Sequence, residues 1–153
     1  MTTIAEKATL TISSRAFEQG AHIPLKYTCE GEDINPPITV KGIPAETVSL
    51  VLIVEDPDAP GGIFDHWVVW NIAPTELIKE NSVPGQSGKN STGGFGYTGP
   101  CPPSETHRYF FKVYALDTLL DLESDTDKKV VEQALHDHVI AYGELMGLYK
   151  KES

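Results

Sequence analysis

Two short segments of the sequence contain residue types that could bind a ligand or catalyse a reaction. The first places Asp56 and Asp58 in a loop with proline and glycine, and it leads into His66. The second is a glycine- and proline-rich loop that begins at Gly99 and leads into His107. Imidazole and carboxylate groups exchange hydrogen bonds and protons near neutral pH, and backbone amides beside glycine can approach an anion closely. Together the two segments predict a small polar site.

Each histidine begins an apolar run that indicates a β-strand. Because side chains alternate along a strand, His107 and Tyr109 share one face, and so do His66 and Trp70. If the two strands are neighbours, both histidines lie at one rim of the sheet. Each segment alone is a weak signal, since Asp and Pro are common in turns, but their joint occurrence favours a site.

Two catalytic alternatives use the same residues. A metal-dependent hydrolase could use Asp56, His66 and His107, with Asp58 as a further oxygen donor, but no H-x-H or H-E-x-x-H spacing holds two histidines on one metal. A serine hydrolase could join Ser104 to His107 and Asp56, but Ser104 lies in no G-x-S-x-G turn. The sequence favours binding over catalysis, and we predict no catalytic residue, no metal site and no cofactor.

The elements that must position this site are mainly β-strands. Residues 48–54 are apolar without alternation, as expected of a central strand buried on both faces. One helix is predicted to begin near Thr126 or Asp127 and to present Val131, Ala134, Leu135, His138 and Tyr142 on one face. With one helix available, a second sheet must cover the first, which predicts a two-sheet antiparallel β-sandwich in a single domain, residues 1–153. The predicted strands cover residues 8–12, 24–28, 37–40, 48–54, 66–72, 107–116 and 144–149.

A long loop is predicted over residues 81–104, where six glycines and four prolines leave few residues for a core. Loops of this length are uncommon inside a compact domain, and ordered ones tend to line functional sites. This loop leads directly into the second segment described above.

Three motifs in a fixed order resemble the phosphatidylethanolamine-binding protein family, which includes the Raf kinase inhibitor proteins. They are DPDAP at 56–60, HWVVWN at 66–71, and GPCPP at 99–103 followed by HRYFFKVYALD at 107–117. Flanking segments at 23–29, 35–37 and 138–141 resemble the short bacterial and archaeal branch. The resemblance covers roughly residues 15–150, and three ordered motifs are far more specific than any one of them.

This resemblance implies two antiparallel sheets with a small anion-binding pocket at one end, which agrees with the predicted sandwich. It implies a phosphate or phosphoryl head group as ligand and a non-catalytic role as modulator of a kinase- or protease-type partner of unknown identity. Phosphoethanolamine and a phosphorylated protein segment differ in what presents the anion, and no residue separates the two. By motif, the pocket residues are Asp56, Pro60, His66, Gly99, Pro100, His107 and Tyr109, with Asp58 and His138 as further candidates.

The chemistry expected of this pocket is hydrogen-bond donation to an anion. The two imidazoles, the Tyr109 hydroxyl and backbone amides around Gly99 would be the donors, and Asp56 would orient one imidazole. Because a histidine with its reference pKa of about 6.5 loses its charge as the pH rises, anion affinity should weaken between roughly pH 6 and 8. Arg108 should point to the opposite face, either paired with Asp56 or Glu55 or exposed to solvent.

Charge and chain length restrict the partners. The 22 acidic and 12 basic residues give a net charge of −10, which disfavours attraction to nucleic acid or to an anionic membrane surface. No apolar stretch approaches the roughly 18 residues of a membrane span, and the first 30 residues lack a signal-peptide pattern, so the expected compartment is the cytoplasm. There, Cys29 and Cys101 should be free thiols, with a disulfide left open if their Cα atoms lie within about 7 Å. The oligomeric state stays open, with a homodimer through an exposed sheet face as one option.

Overall fold

The computed structural model describes residues 8–151, which form two β-sheets and one α-helix. The strands are β1 (Ala8–Thr9), β2 (Thr11–Ser13), β3 (Ile38–Lys41), β4 (Ser49–Asp56), β5 (Phe64–Ile72), β6 (Leu77–Ile78), β7 (Gln86–Ser87), β8 (His107–Leu116) and β9 (Val139–Tyr149). The larger sheet has the order β1-β9-β8-β4-β5-β7, and the smaller has the order β2-β3-β6. Apart from the parallel pair of β1 with β9, the strands pair antiparallel. The predicted mainly β, two-sheet architecture is confirmed.

Strand β4 is central in the larger sheet, and all eight of its residues are buried. On one face, Leu50, Leu52 and Val54 belong to the core between the two sheets. On the other face, Val51 and Ile53 belong to a second core, which the helix covers. The prediction of a central strand buried on both faces is confirmed, and its physical cause is the unbroken apolar run from Leu50 to Val54.

The helix α1 (Lys128–Leu135) begins where the sequence predicts and ends earlier. Asp127 caps it by accepting a hydrogen bond from the Val130 backbone N–H. The prediction that His138 and Tyr142 continue the helical face is wrong, because β9 begins at Val139 and pairs along nearly its whole length with β8. Within residues 8–151, no helix is long and apolar enough to cross a membrane.

Residues 24–28 form a turn and not the predicted strand. Leu25–Tyr27 is a single turn of 3-10 helix, closed by a hydrogen bond of 3.0 Å from the Thr28 N–H to the Leu25 carbonyl. Gly31 lies against this turn so closely that a Cβ atom there would overlap the Leu25 backbone. Packing of the following chain onto the turn therefore overrides the β-forming composition of this segment.

Two glycines in β9 let the second layer approach the sheet. A Cβ atom at Gly147 would lie 2.6 Å from Cγ1 of Ile23 and 2.8 Å from the Phe17 ring. A Cβ atom at Gly143 would overlap the Leu10 carbonyl. These glycines, which argue against a helix in the sequence, are positions of close packing on a strand.

Candidate functional site

A cavity of about 300 Å³ opens at one end of the larger sheet, where β4 ends and β5 and β8 begin. Strand pairing brings these ends together, since Asp56 is opposite Phe64 in the β4–β5 pair and Glu55 is opposite Phe110 in the β4–β8 pair. The loops after β4 and before β8 complete the wall. The predicted site residues that line the cavity are Asp56, Pro60, His66, Gly99, His107 and Tyr109.

The carboxylate and imidazole that the sequence places together are Asp56 and His107. Nδ1 of His107 lies 2.6 Å from Oδ2 of Asp56, and the two side chains are only 7% and 4% exposed. Oδ1 of Asp56 accepts a second hydrogen bond, of 2.7 Å, from the Asp58 backbone N–H. Both carboxylate oxygens are therefore engaged, so Asp56 orients His107 and leaves Nε2 of that ring without a partner among residues 8–151.

His66 is oriented by a backbone carbonyl. Its Nδ1 lies 2.7 Å from the Thr98 carbonyl oxygen, and the Thr98 N–H donates back to the His66 carbonyl at 3.0 Å. The ring is buried, with its centroid 4.8 Å from that of Phe64 and 5.2 Å from that of Tyr109. Burial lowers the pKa of His66, and the weaker opposing effects of the Thr98 carbonyl and the nearby carboxylates do not restore it. His66 therefore loses its charge at a lower pH than the range of roughly 6 to 8 over which the sequence predicts that anion affinity weakens.

The Tyr109 hydroxyl is a buried polar atom without a hydrogen-bond partner in the described part of the chain. Its ring centroid lies 6.4 Å from that of His107, and the residue lines the cavity. Burial, followed by the charges of Asp56 and Asp58 and by a side-chain interaction with Asp56, raises the pKa of Tyr109 above its ordinary value, so its proton stays on the oxygen. The approach of the hydroxyl to Asp56 lacks the geometry of a full hydrogen bond. A buried hydroxyl of this kind is a hydrogen-bond donor available to a ligand or a water.

Gly99 lines the cavity, but it does not supply the amide donor that the sequence suggests. Its N–H donates to Oδ1 of Asp33 at 2.7 Å. A Cβ atom at this position would overlap the Tyr27 carbonyl and the Asp33 carboxylate. Glycine is therefore required here for packing of the loop against residues 27–33, and its N–H is already used.

Asp58 belongs to an ion pair outside the cavity lining. Arg108 makes two side-chain hydrogen bonds to it, of 3.0 and 2.8 Å, and the Arg108 backbone N–H adds a third, of 2.9 Å. Arg108 therefore pairs with an acid, as one of the two alternatives expects, but the partner is neither Asp56 nor Glu55. Glu55 pairs instead with lysines on the helix-covered face of the sheet. The candidate ligand residue Asp58 thus fastens the loop after β4 to the start of β8.

Two further predicted residues lie away from the cavity lining. Pro100 is buried, and its carbonyl accepts a hydrogen bond of 3.1 Å from the Cys29 N–H. His138 directly precedes β9, whose first residue pairs with Leu116. Leu116 is at the opposite end of β8 from His107. Nδ1 of His138 lies 2.9 Å from Oδ1 of Asp117. Ten strand residues separate the two ends, a distance of roughly 30 Å, so placing His138 in this site is wrong.

Cys29 and Cys101 form a disulfide, with their Cα atoms 5.5 Å apart. The expectation of free thiols is wrong, because it depended only on the assumed cytoplasmic compartment. The hydrogen bond from the Cys29 N–H to the Pro100 carbonyl holds the two segments side by side, which brings the cysteines within bonding distance. Cys101 also lines the cavity, together with Pro102 and Pro103. The disulfide therefore ties the cavity wall to the turn after residue 24.

Sequence reasoning missed the residues that hold the site from behind. Thr98 and Asp33 bind the His66 ring and the Gly99 amide, and both lie in irregular loops whose partners are far away in the sequence. The only sequence signal for Thr98 is its place before the GPCPP motif. Thr92 and Ala59, which also line the cavity, lie in the same two loops that the sequence singles out.

The catalytic alternatives gain no support from this geometry. Among residues 8–151, no three His, Cys, Asp or Glu side chains are grouped in a way that could hold a metal ion. Ser104 is exposed and does not line the cavity, so the Asp56–His107 pair has no serine placed beside it there. The cavity is instead a small pocket with unpartnered polar atoms on its wall.

The fold and the site define a β-sandwich protein with a small pocket at one end of its larger sheet, in which a few polar groups lie in a mainly apolar wall. The family model for the phosphatidylethanolamine-binding protein matches residues 13–150, and this chain belongs to that family. Among solved structures, the phosphatidylethanolamine-binding protein homologue CT736 of Chlamydia trachomatis has a TM-score of 0.91 and 42% identity, covering 94% of this chain and 99% of that one. YbcL of E. coli, a member of the mammalian PEBP family, has a TM-score of 0.86 and 29% identity, covering 95% of this chain and 100% of that one.

Relatives from archaea show the same similarity in sequence. A UPF0098 protein of Archaeoglobus fulgidus is 48% identical over 151 residues, covering 93% of this chain, which spans about half, 51%, of that relative. A UPF0098 protein of Methanothermobacter thermautotrophicus is 45% identical over 150 residues and is matched over 99% of its length, with 93% of this chain covered. The resemblance found in the sequence motifs is confirmed.

Proposed function

We propose that this chain binds a small anionic group, a phosphate or a phosphoryl head group, in the cavity and catalyses no reaction there. The observation that carries the proposal is the Tyr109 hydroxyl, which is buried at the cavity without a partner among the described residues. Leaving such a group unpaired costs about 1–3 kcal/mol. An anion oxygen that accepts this hydrogen bond would remove that cost.

The two histidines beside Tyr109 complete the proposed set of contacts. Asp56 holds Nδ1 of His107, so a protonated His107 keeps Nε2–H for the ligand. The negative charge of Asp56 opposes anion binding, but both of its oxygens already accept hydrogen bonds, which offsets much of that effect. His66 offers its own Nε2 from the neighbouring strand.

We propose further that the anion is presented by a protein partner of the kinase or protease type, which this chain modulates. The loops that line the cavity support this, because they carry exposed apolar side chains next to lining residues. Ile63, between Pro60 and Phe64, is 55% exposed, and Phe95, between Thr92 and Thr98, is 57% exposed. A free inorganic anion would leave these side chains without a contact, whereas a polypeptide would cover them.

Calorimetric titration with inorganic phosphate tests the binding proposal. We expect Tyr109→Phe, which removes only the hydroxyl, to weaken phosphate affinity roughly ten- to a hundredfold, because a hydrogen bond to a charged group contributes about 1.5–3 kcal/mol. Tyr142→Phe is the matched control, since its hydroxyl bonds Glu144 outside the cavity. Equal phosphate affinity of Tyr109→Phe and the wild-type chain would contradict the proposal.

A further inference from the structure

The hydrogen bond to Thr98 fixes which nitrogen of His66 carries a proton. A carbonyl oxygen can only accept, so the Nδ1 atom 2.7 Å from it must be the donor. This holds for the neutral ring and for the charged ring. A neutral His66 therefore has its lone pair on Nε2, and that atom is a hydrogen-bond acceptor.

The ring is placed so that Nε2 is the polar atom it offers to the cavity. His66 lines the cavity and is 5% exposed, and its Nδ1 is turned to Thr98. Phe64 and Tyr109 contact the ring and hold its orientation. Over residues 8–151 no side chain or backbone group bonds Nε2, so the contact there is left to the ligand.

The surroundings of His66 keep it uncharged near neutral pH. Burial is the largest influence on its pKa and lowers it. The groups that act on its charge are Asp56 of β4, Asp65 of β5, and Asp33 and Thr98 of the loops. From β8, Tyr109 packs against the ring and His107 lines the same cavity. The three carboxylates favour the charged ring, but together with Thr98 they only partly oppose burial.

We propose that His66 acts as a hydrogen-bond acceptor in this cavity and so selects an oxyanion that carries a proton, such as the monohydrogen phosphate ion, over sulfate, which carries none. At pH 7.5 inorganic phosphate is mainly the monohydrogen ion, whose P–O–H can donate to Nε2. Sulfate has no proton at this pH, so its oxygens would meet the lone pair of Nε2 without a hydrogen between them. An acceptor left facing another acceptor in a buried site loses binding energy.

This inference rests on the proposed anion binding and is tested with two probes, inorganic phosphate and sulfate, on the full chain. Each is titrated by calorimetry at pH 7.5 and at one ionic strength, in a buffer that contains neither anion. We expect phosphate to bind at least tenfold more tightly than sulfate. Equal affinities, or tighter sulfate binding, would overturn the acceptor role of His66 and leave the proposed function standing. Failure of both anions to bind would overturn the proposed function as well.

The same comparison at falling pH, with protonation of the His66 ring followed by NMR, assigns the selectivity to His66. Once the ring takes up a proton, Nε2 becomes a donor, so sulfate should gain and the phosphate-to-sulfate ratio should fall several-fold. His66→Gln, whose amide can donate or accept, should show a reduced ratio already at pH 7.5, while Tyr142→Phe should keep the wild-type ratio. A wild-type ratio that stays constant over the pH range in which the His66 ring takes up its proton would overturn the proposal whether or not the Gln variant folds.

Discussion

Asp58 illustrates how one residue can matter to a site without touching it. Its carboxylate receives three hydrogen bonds from Arg108, and this contact lowers the pKa of Asp58 from 3.8 to about 2. Because the pKa is lower in the folded chain, the pair stabilises the fold above about pH 3.8, and this contribution disappears as the pH falls towards 2. Both side chains are partly exposed, so the effect on stability is modest.

We therefore expect Asp58→Asn to melt a few degrees below the wild-type chain at pH 6, with the difference closing as the pH falls from 4 to 2. Thermal melts followed by circular dichroism at several pH values measure this. Asp121→Asn changes the same group at an exposed position and should show no such closing gap. A difference between Asp58→Asn and the wild type that is constant down to pH 2 would contradict the assignment.

At the scale of elements, the loop after β4 and the loop before β8 each present different side chains to the cavity and to the outer surface. The inner side supplies lining residues, and the outer side supplies Ile63 and Phe95. Gly93 and Gly96 have positive φ angles of 87° and 93° on either side of Phe95, so they set the turn that presents this ring. The loops therefore place an exposed apolar rim, formed by Ile63 and Phe95, next to the cavity.

If a protein segment presents the anion, replacing Ile63 and Phe95 together by serine should weaken binding of a phosphorylated peptide roughly tenfold, since each buried apolar side chain contributes on the order of 1 kcal/mol or more. Affinity for inorganic phosphate should not change. Fluorescence anisotropy of a labelled phosphopeptide measures the first quantity. The control is Val83→Ser, at an exposed position that precedes β7 and does not line the cavity. If the double variant lost affinity equally for phosphate and for the peptide, Ile63 and Phe95 would make no separate contact with the peptide, which would contradict this prediction.

The sequence predicts those elements whose pattern is local. β4 follows from a continuous apolar run, β8 from a run rich in aromatic residues, and the start of α1 from its cap at Asp127. The turn at residues 25–27 and the early end of α1 depend on partners distant in sequence, so a local pattern could not reveal them. The same division holds in the site, where motifs predict His66 and His107 but not Thr98 or Asp33. The Thr98 backbone carbonyl holds the His66 ring, and the Asp33 carboxylate holds the Gly99 N–H.

At the scale of the whole molecule, the disulfide joins two segments 72 residues apart. Closing a loop of this length in the unfolded chain contributes about 4 kcal/mol to stability in the chain-entropy account. We expect reduction with dithiothreitol to lower the melting temperature of the wild-type chain by roughly 10 °C. The double variant Cys29→Ser, Cys101→Ser should melt at the reduced temperature with or without reductant, and an unchanged wild-type melting temperature after complete reduction would contradict this expectation.

The complete burial of β4 has a consequence for how a ligand enters and leaves. Amide hydrogens paired on both sides of a central strand exchange with solvent only when the whole domain opens, whereas loops exchange through small local openings. Asp56 ends this slow strand, while Pro60, Thr92 and Cys101 lie on loops. The floor of the cavity therefore lies at the end of a buried strand and its walls on loops, so we expect ligand exchange to proceed by motion of the walls over a floor that keeps its geometry.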